Sequence, residues 1–174
     1  MGSLDGWRVC PRCGANLVAT DGHLACAACG ERYWANSIPG VQGILERDGR
    51  VLLARRAREP RRGCWDLPGG FLDEEETPED GLRREFREET GLEVELVSFA
   101  GIAIEPYDAK WVFSVTWVVR GDGDPRPDDD VDDLRWFAPG ELPAMAFPGQ
   151  DRVLAEWAAS LAARTPPSDR ASTR

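Results

Sequence analysis

The sequence predicts an α+β domain with helices and strands in α/β/α layers, preceded by a small cysteine-rich ribbon. Three observations carry this. β-branched and aromatic runs alternate with helical segments from about Ile38 to Leu161. Only two helices are clearly punctuated. Four of the five cysteines fall in the first thirty residues. A length of 174 residues accommodates one medium domain and a small appendage. The expected division is a ribbon over 1–36, a main domain over 37–163 and a disordered tail over 164–174.

The ribbon comes first. CPRC (10–13) and CAAC (26–29) place Cys10, Cys13, Cys26 and Cys29 in two knuckles separated by twelve residues. That spacing suits a structural tetrahedral Zn²⁺ site. Four unrelated buried thiols or a redox pair explain it less well, because neither pair lies in a βαβ context. A closed four-sulfur site leaves no open position for substrate, so the zinc is expected to fold the ribbon. His23 is read as a surface residue and Cys64 as a packed or idle thiol.

The strand candidates are VQGIL (41–45), VLLA (51–54), VELVSFAGIAI (94–104), WVFSVTWVV (111–119) and LRWF (134–137). Between the last two, GDGDPRPDDDVDD (121–133) reads as an acidic loop. The first helix takes Thr77 as N-cap and Pro78 as its first residue and stops at Gly91. The second runs from Gln150 to Ala163, with Val153, Trp157 and Leu161 on one stripe. The tail TPPSDRASTR has no large apolar residue to dock and is expected to fray.

The net charge of −10 argues against avid binding to long nucleic acid. Arg8, Arg12 and Arg32 are too few to make the ribbon a nucleic-acid reader. A small anionic substrate remains compatible, since divalent cations reverse the local sign. No apolar run is long enough to span a bilayer, and MGSLDGWRVC has neither an apolar signal core nor a myristoylation pattern. The expectation is a cytoplasmic protein that avoids membranes.

The stretch REFREETGL (84–92) carries the chemistry. Glu85, Glu88 and Glu89 stand three and four residues apart, where like charges cost a helix roughly 0.2–0.5 kcal/mol per pair. Leu82 and Phe86 mark the buried stripe, and the glutamates border it. A solvated face fits that placement poorly. Crowded, partly desolvated carboxylates need a counter-charge, and a hard divalent cation supplies one. Upstream, Gly69 and Gly70 allow close backbone approach to a ligand. RRAREPRRG, with Arg55, Arg56, Arg58, Arg61 and Arg62, reads either as a solvated loop or as a phosphate-contacting rim.

Gly70, five residues, Glu76, seven residues and then Arg84-Glu85-Phe86-Arg87-Glu88-Glu89-Thr90-Gly91-Leu92 match G-x5-E-x7-R-E-U-x-E-E-x-G-U (U apolar) at every fixed position. The chain thereby resembles the Nudix hydrolase superfamily over roughly residues 36–160. The four-cysteine ribbon in front resembles that of NADH pyrophosphatase-like and ADP-ribose pyrophosphatase-like members. The resemblance implies a mixed sheet in an α/β/α sandwich. It also implies Mg²⁺ or Mn²⁺ held by Glu85, Glu88 and Glu89 with the Gly70 region, Arg84 holding the glutamates in place, and Glu76 supporting the loop or the metal shell. The implied reaction is hydrolysis of a nucleoside diphosphate linked to another moiety.

The general base is open between a box glutamate and a downstream acid, Asp130 or Asp133. Arg55, Arg62, Gly69 and Gly70 are the substrate-binding candidates. Tyr33, Trp111 and Phe147 are candidates for stacking a base. The S-Q-P-W-P-F-P type segment of NADH pyrophosphatases is replaced by GIAIEPYDAKW. Pro106 and Tyr107 there are single-residue cues toward ADP-ribose and dinucleoside polyphosphate hydrolases, or else a turn between strands. A nucleoside triphosphate pyrophosphatase and a non-catalytic ligand sensor are the rival functions. The assembly is open, with a homodimer among the options.

Overall fold

The computed structural model describes residues 2–164. Three short strands, β1 (Leu17–Ala19), β2 (His23–Cys26) and β3 (Arg32–Trp34), pair antiparallel in chain order. The remaining strands are β4 (Ile38–Arg47), β5 (Arg50–Arg56), β6 (Trp65–Asp66), β7 (Gly69–Phe71), β8 (Glu95–Tyr107), β9 (Lys110–Arg120) and β10 (Val131–Phe137). They form a seven-stranded sheet in the order β10-β5-β4-β9-β8, with β6 on β5 and β7 on β4. β4 and β9 run parallel and every other pair is antiparallel, so the sheet is mixed.

Helix α1 (Pro78–Thr90) begins and ends where its sequence dictates. Thr77 Oγ1 accepts the Asp80 backbone N–H at 3.2 Å. Gly91, left-handed at φ 69°, donates its N–H to the Arg87 carbonyl at 3.0 Å. Its buried face carries Leu82, Phe86 and Thr90, and also Glu85 and Glu89. Leu82 and Phe86 pack with Val41, Leu45, Leu52 and Val119 on one side of the sheet. Helix α2 (Pro148–Arg164) covers the other side, where Val153, Leu154 and Trp157 meet Ile44, Val51 and Leu53. Alternation along β4 and β5 divides the two cores: Leu45 and Leu52 face α1, Ile44 and Leu53 face α2. The result is the α/β/α sandwich.

Gly43 shows how tightly α1 seats. A Cβ there would come within 2.5 Å of the Phe86 ring, so any side chain would displace a fully buried aromatic. Truncating such a ring to alanine costs about 3–5 kcal/mol.

Three expectations shift. β8 continues through Pro106 to Tyr107, so these two residues extend a strand instead of forming the turn. A proline is tolerable there because β8 is an edge strand. Helix α2 is longer at both ends than Gln150–Ala163, and Arg164, assigned to the tail, closes it with an ion pair to Glu46 at 2.7 Å. The segment TPPSDRASTR, expected from sequence to fray, lies outside the described residues. No helix among the described residues is long and apolar enough to cross a membrane.

Candidate active site

A cleft of about 320 Å³ opens where α1, β7, the ends of β4 and β8, and the start of α2 meet. Helix α1 contributes Glu85 and Glu89, only 9% and 6% exposed. The glycines of β7 make their burial possible. Gly69, at φ 150°, donates its N–H to Glu89 Oε2 at 2.8 Å. Gly70 lies directly against the Glu85 carboxylate, where a Cβ would collide with both oxygens. Glu88 stands apart, its side chain 46% exposed and outside the cleft lining.

Arg84 answers part of the repulsion among the glutamates. Its Nη1 donates to Glu85 Oε1 at 2.8 Å and to Glu88 Oε2 at 3.0 Å. Its other nitrogens reach Glu76 and the Phe71 carbonyl. Burial pushes the Glu85 carboxyl up, against the pull of Arg84. Glu89 is pushed well above the usual carboxylate range, first by burial. The Gly69 N–H opposes that shift, while the charges of Asp130, Asp66 and Glu85 add to it. Among the described residues Glu89 thus has no cationic partner, in a site rich in hard oxygen donors. That fits a divalent cation in chemistry and charge.

The fate of each candidate is specific. Asp130, Gly69 and Gly70 line the cleft. Asp133 does not, being paired with Arg55 and Arg135. Arg55 turns away from the cleft, because the β5–β10 register sets it beside Asp132 and Asp133, at 2.6 and 3.7 Å. Arg62 is exposed in the loop after β5 and also lies outside the lining. The cleft's arginine at the end of β5 is Arg56, bonded to Asp66 at 2.7 Å and to the Tyr107 hydroxyl at 3.2 Å. Tyr107 and Phe147 both line the cleft, with ring centroids 5.7 Å apart and planes at 21°. Trp111, Tyr33 and Pro106 do not.

Gln42, Asp66, Glu105 and Gln150 line the cleft without having been singled out from sequence. Three of them form one hydrogen-bonded chain. Gln150 Nε2 donates to Gln42 Oε1 at 2.8 Å and to Asp66 Oδ1, and Gln42 Nε2 donates to Thr116 Oγ1 at 2.9 Å. Burial raises the Asp66 carboxyl, with Arg56 opposing that shift.

In the ribbon the four cysteine sulfurs lie within 4.8 Å of one another, the one such group of potential ligands among the described residues. Cys10–Cys29 and Cys13–Cys26 are separated by 3.7 and 3.5 Å. Sulfurs bound tetrahedrally at about 2.3 Å would stand roughly 3.8 Å apart, so the thiols fit zinc. Tyr33 shares a hydrogen bond with Cys10 Sγ at 3.2 Å and is the main cause that lowers this thiol, whereas Cys13 and Cys29 in the same cluster are raised. The site glutamates do not converge as the thiols do, since Arg84 binds Glu85 and Glu88.

A family model described as NUDIX domain matches residues 38–157. An ADP-ribose pyrophosphatase of Methanocaldococcus jannaschii is 36% identical over 120 residues, 67% of this chain and 70% of that protein. A NAD-capped RNA hydrolase NudC of Vibrio parahaemolyticus is 28% identical over 150 residues, 82% of this chain but only 55% of that protein. The chain therefore spans about half the length of such NudC proteins. Among solved structures, a NUDIX hydrolase from Nitrosomonas europaea superposes with a TM-score of 0.75 at 25% identity, covering 91% of this chain and 92% of that one.

Proposed function

The chain belongs to the NUDIX family and is a hydrolase of that family, and on that premise we propose that it cleaves a nucleoside diphosphate linked to another moiety, of the ADP-ribose, NADH or FAD type. The products are a nucleoside monophosphate and a phosphorylated second half. The observation that carries the reading is the grouping of Glu85, Glu89 and Asp130 around one cleft, with no cationic partner for Glu89 among the described residues. The kinship with a protein named ADP-ribose pyrophosphatase supports the substrate class.

Glu85 and Glu89, with Glu88 at the rim and the Gly70 backbone, would hold Mg²⁺ or Mn²⁺. When bound, such a cation neutralises the diphosphate and lowers the pKa of attacking water. The chain's own groups do the rest. Arg84 keeps the glutamates in place, and Arg56 offers a guanidinium to the bound anion. Asp130, which shares the cleft with Glu89 and whose charge acts on it, would take the proton of the attacking water as general base. The cysteine ribbon carries zinc as a folding element. The enzyme is placed in the cytoplasm and acts on a small nucleotide substrate.

The test is a panel of ADP-ribose, NADH, NAD⁺, FAD, dinucleoside polyphosphates and nucleoside triphosphates, assayed with and without Mg²⁺, with every product identified. Monophosphate products from a linked diphosphate uphold the proposal. Release of pyrophosphate from triphosphates in preference would instead make it a triphosphate pyrophosphatase.

A further inference from the structure

Two buried side-chain oxygens have no hydrogen-bond partner among the described residues: Glu105 Oε1 and Gln150 Oε1. Their residues are 6% and 2% exposed, and both line the cleft. Native interiors satisfy nearly all buried polar groups, so two orphans in one cleft point to a ligand that brings donors. Neither can turn away easily. Both bonds of Gln150 Nε2 are committed, to Gln42 and to Asp66, which fixes the amide and leaves its oxygen as the free acceptor. Glu105 is held close against Gly149, where a Cβ would collide with Oε1.

The surroundings say what kind of donor. Tyr107 follows Glu105 by two residues on β8, and Phe147 precedes Gln150 by three, so both orphans flank the stacked Tyr107–Phe147 pair. Phe71 closes the group edge-on to Tyr107, with centroids 5.2 Å apart. The two acceptors themselves repel phosphate, which goes instead to the Arg56 guanidinium over these rings. A ribose diol has donors but no flat face to lie against the rings. A nucleobase has both.

We propose that Glu105 and Gln150 are specificity-determining residues that accept hydrogen bonds from the amino-bearing edge of a nucleobase lying against Tyr107 and Phe147. The inference rests on the nucleotide-hydrolase reading above and names the end of the substrate that the reading leaves open. A base with a carbonyl or a bare C–H in place of the amino group leaves an acceptor unpaired and is rejected.

The experiment measures binding by calorimetry, on the full chain without divalent metal, for AMP against IMP, GMP against IMP, and CMP against UMP. GMP and IMP differ at the amino group alone, whereas AMP and IMP, and CMP and UMP, differ also at the adjacent ring nitrogen, which gains a hydrogen in the carbonyl member. The expected result is that at least one amino-bearing member binds about tenfold tighter than its partner. Glu105→Gln, which keeps the volume but places a donor where an acceptor stood, collapses or reverses that ratio. Tyr107→Leu weakens every nucleotide and leaves the ratio intact, which separates stacking from edge recognition. Equal binding within all three pairs, or a ratio that Glu105→Gln leaves unchanged, overturns the inference. Hydrolysis is scored separately. Diphosphate cleavage without base discrimination sinks this inference alone, whereas discrimination without cleavage sinks the proposed reaction alone.

Discussion

Arg84 and Glu76 form a two-point ion pair across the loop that leads into α1, with Nε to Oε1 at 2.9 Å and Nη2 to Oε2 at 2.8 Å. The same carboxylate accepts the Asp73 backbone N–H at 3.1 Å. Glu76 therefore braces the guanidinium that in turn binds Glu85 and Glu88, so a residue outside the cleft sets the geometry within it.

This bracing has a pH signature. The Arg84 hydrogen bonds hold the Glu76 carboxyl below its ordinary value. A depressed carboxyl contributes stability that is present above the unfolded-state value and is lost as pH falls through the folded one. Glu76→Gln is expected to cost about 1–3 kcal/mol at neutral pH, and its stability should converge with the wild type in acid. Urea denaturation at several pH values reads this, and a pH-independent deficit would refute it.

Glu89→Gln is expected to lower turnover by about 10²–10⁴-fold or more, with Glu88→Gln also impaired. The half-exposed Glu88 should cost less than the buried Glu89. Without metal, Glu89→Gln should hold or gain stability at neutral pH. The wild-type carboxyl is raised above its unfolded value, so its ionisation opposes folding there. Mg²⁺ should raise the melting temperature of the wild type more than that of the variant. Glu93→Gln is the control, because Glu93 pairs with Arg87 at the surface beyond the box. Wild-type turnover in both box variants at saturating Mg²⁺ would falsify the metal-site reading.

The two arginines 56 and 62 separate two readings of the basic loop. Arg56→Lys keeps the charge but loses the forked contacts to Asp66 and Tyr107, and KM should rise about tenfold or more with kcat changed less. Arg62→Ala should leave both constants near wild type. The reverse pattern would restore the exposed loop as the phosphate rim.

Metal analysis of protein purified without chelator should find about one zinc per chain, held by four sulfurs. Stripping it should unfold the ribbon, which has little core of its own beyond Leu24, Cys10 and Cys26. Disulfides between the knuckles, or no zinc, would reject this.

Much of the site was legible because its spacing is local. The run from Thr77 to Gly91 encodes the cap, the stop and the acidic register of α1 within a few turns of one helix. What escaped is held by distant pairings. Arg55 and Arg56 are indistinguishable in composition, yet successive strand residues point to opposite faces, and only the β5–β10 register shows which one enters the cleft. Glu105 lies past two irregularities in the β8–β9 ladder, between Leu96 and Ser98 and between Phe99 and Gly101, and these shift the alternation that would have revealed its face. Gln42 sits in an apolar strand, and its role appears only when Gln150 arrives from the far end of the chain. β6 and β7, at two and three residues, are too short to leave a pattern.

The amide chain that runs from Thr116 through Gln42 to Gln150 has a direction, since each link donates one way. Thr116 is fully buried and does not line the cleft. Were its hydroxyl to donate instead of accept, Gln42 would rotate and present its nitrogen to Gln150. Gln150 would then face two opposed demands, from Gln42 and from Asp66. The polarity displayed to a ligand is in this sense written one strand deeper, on β9, and transmitted outward by amide orientation. A change at Thr116 could therefore alter which nucleotide the protein prefers while every atom that touches the nucleotide keeps its identity.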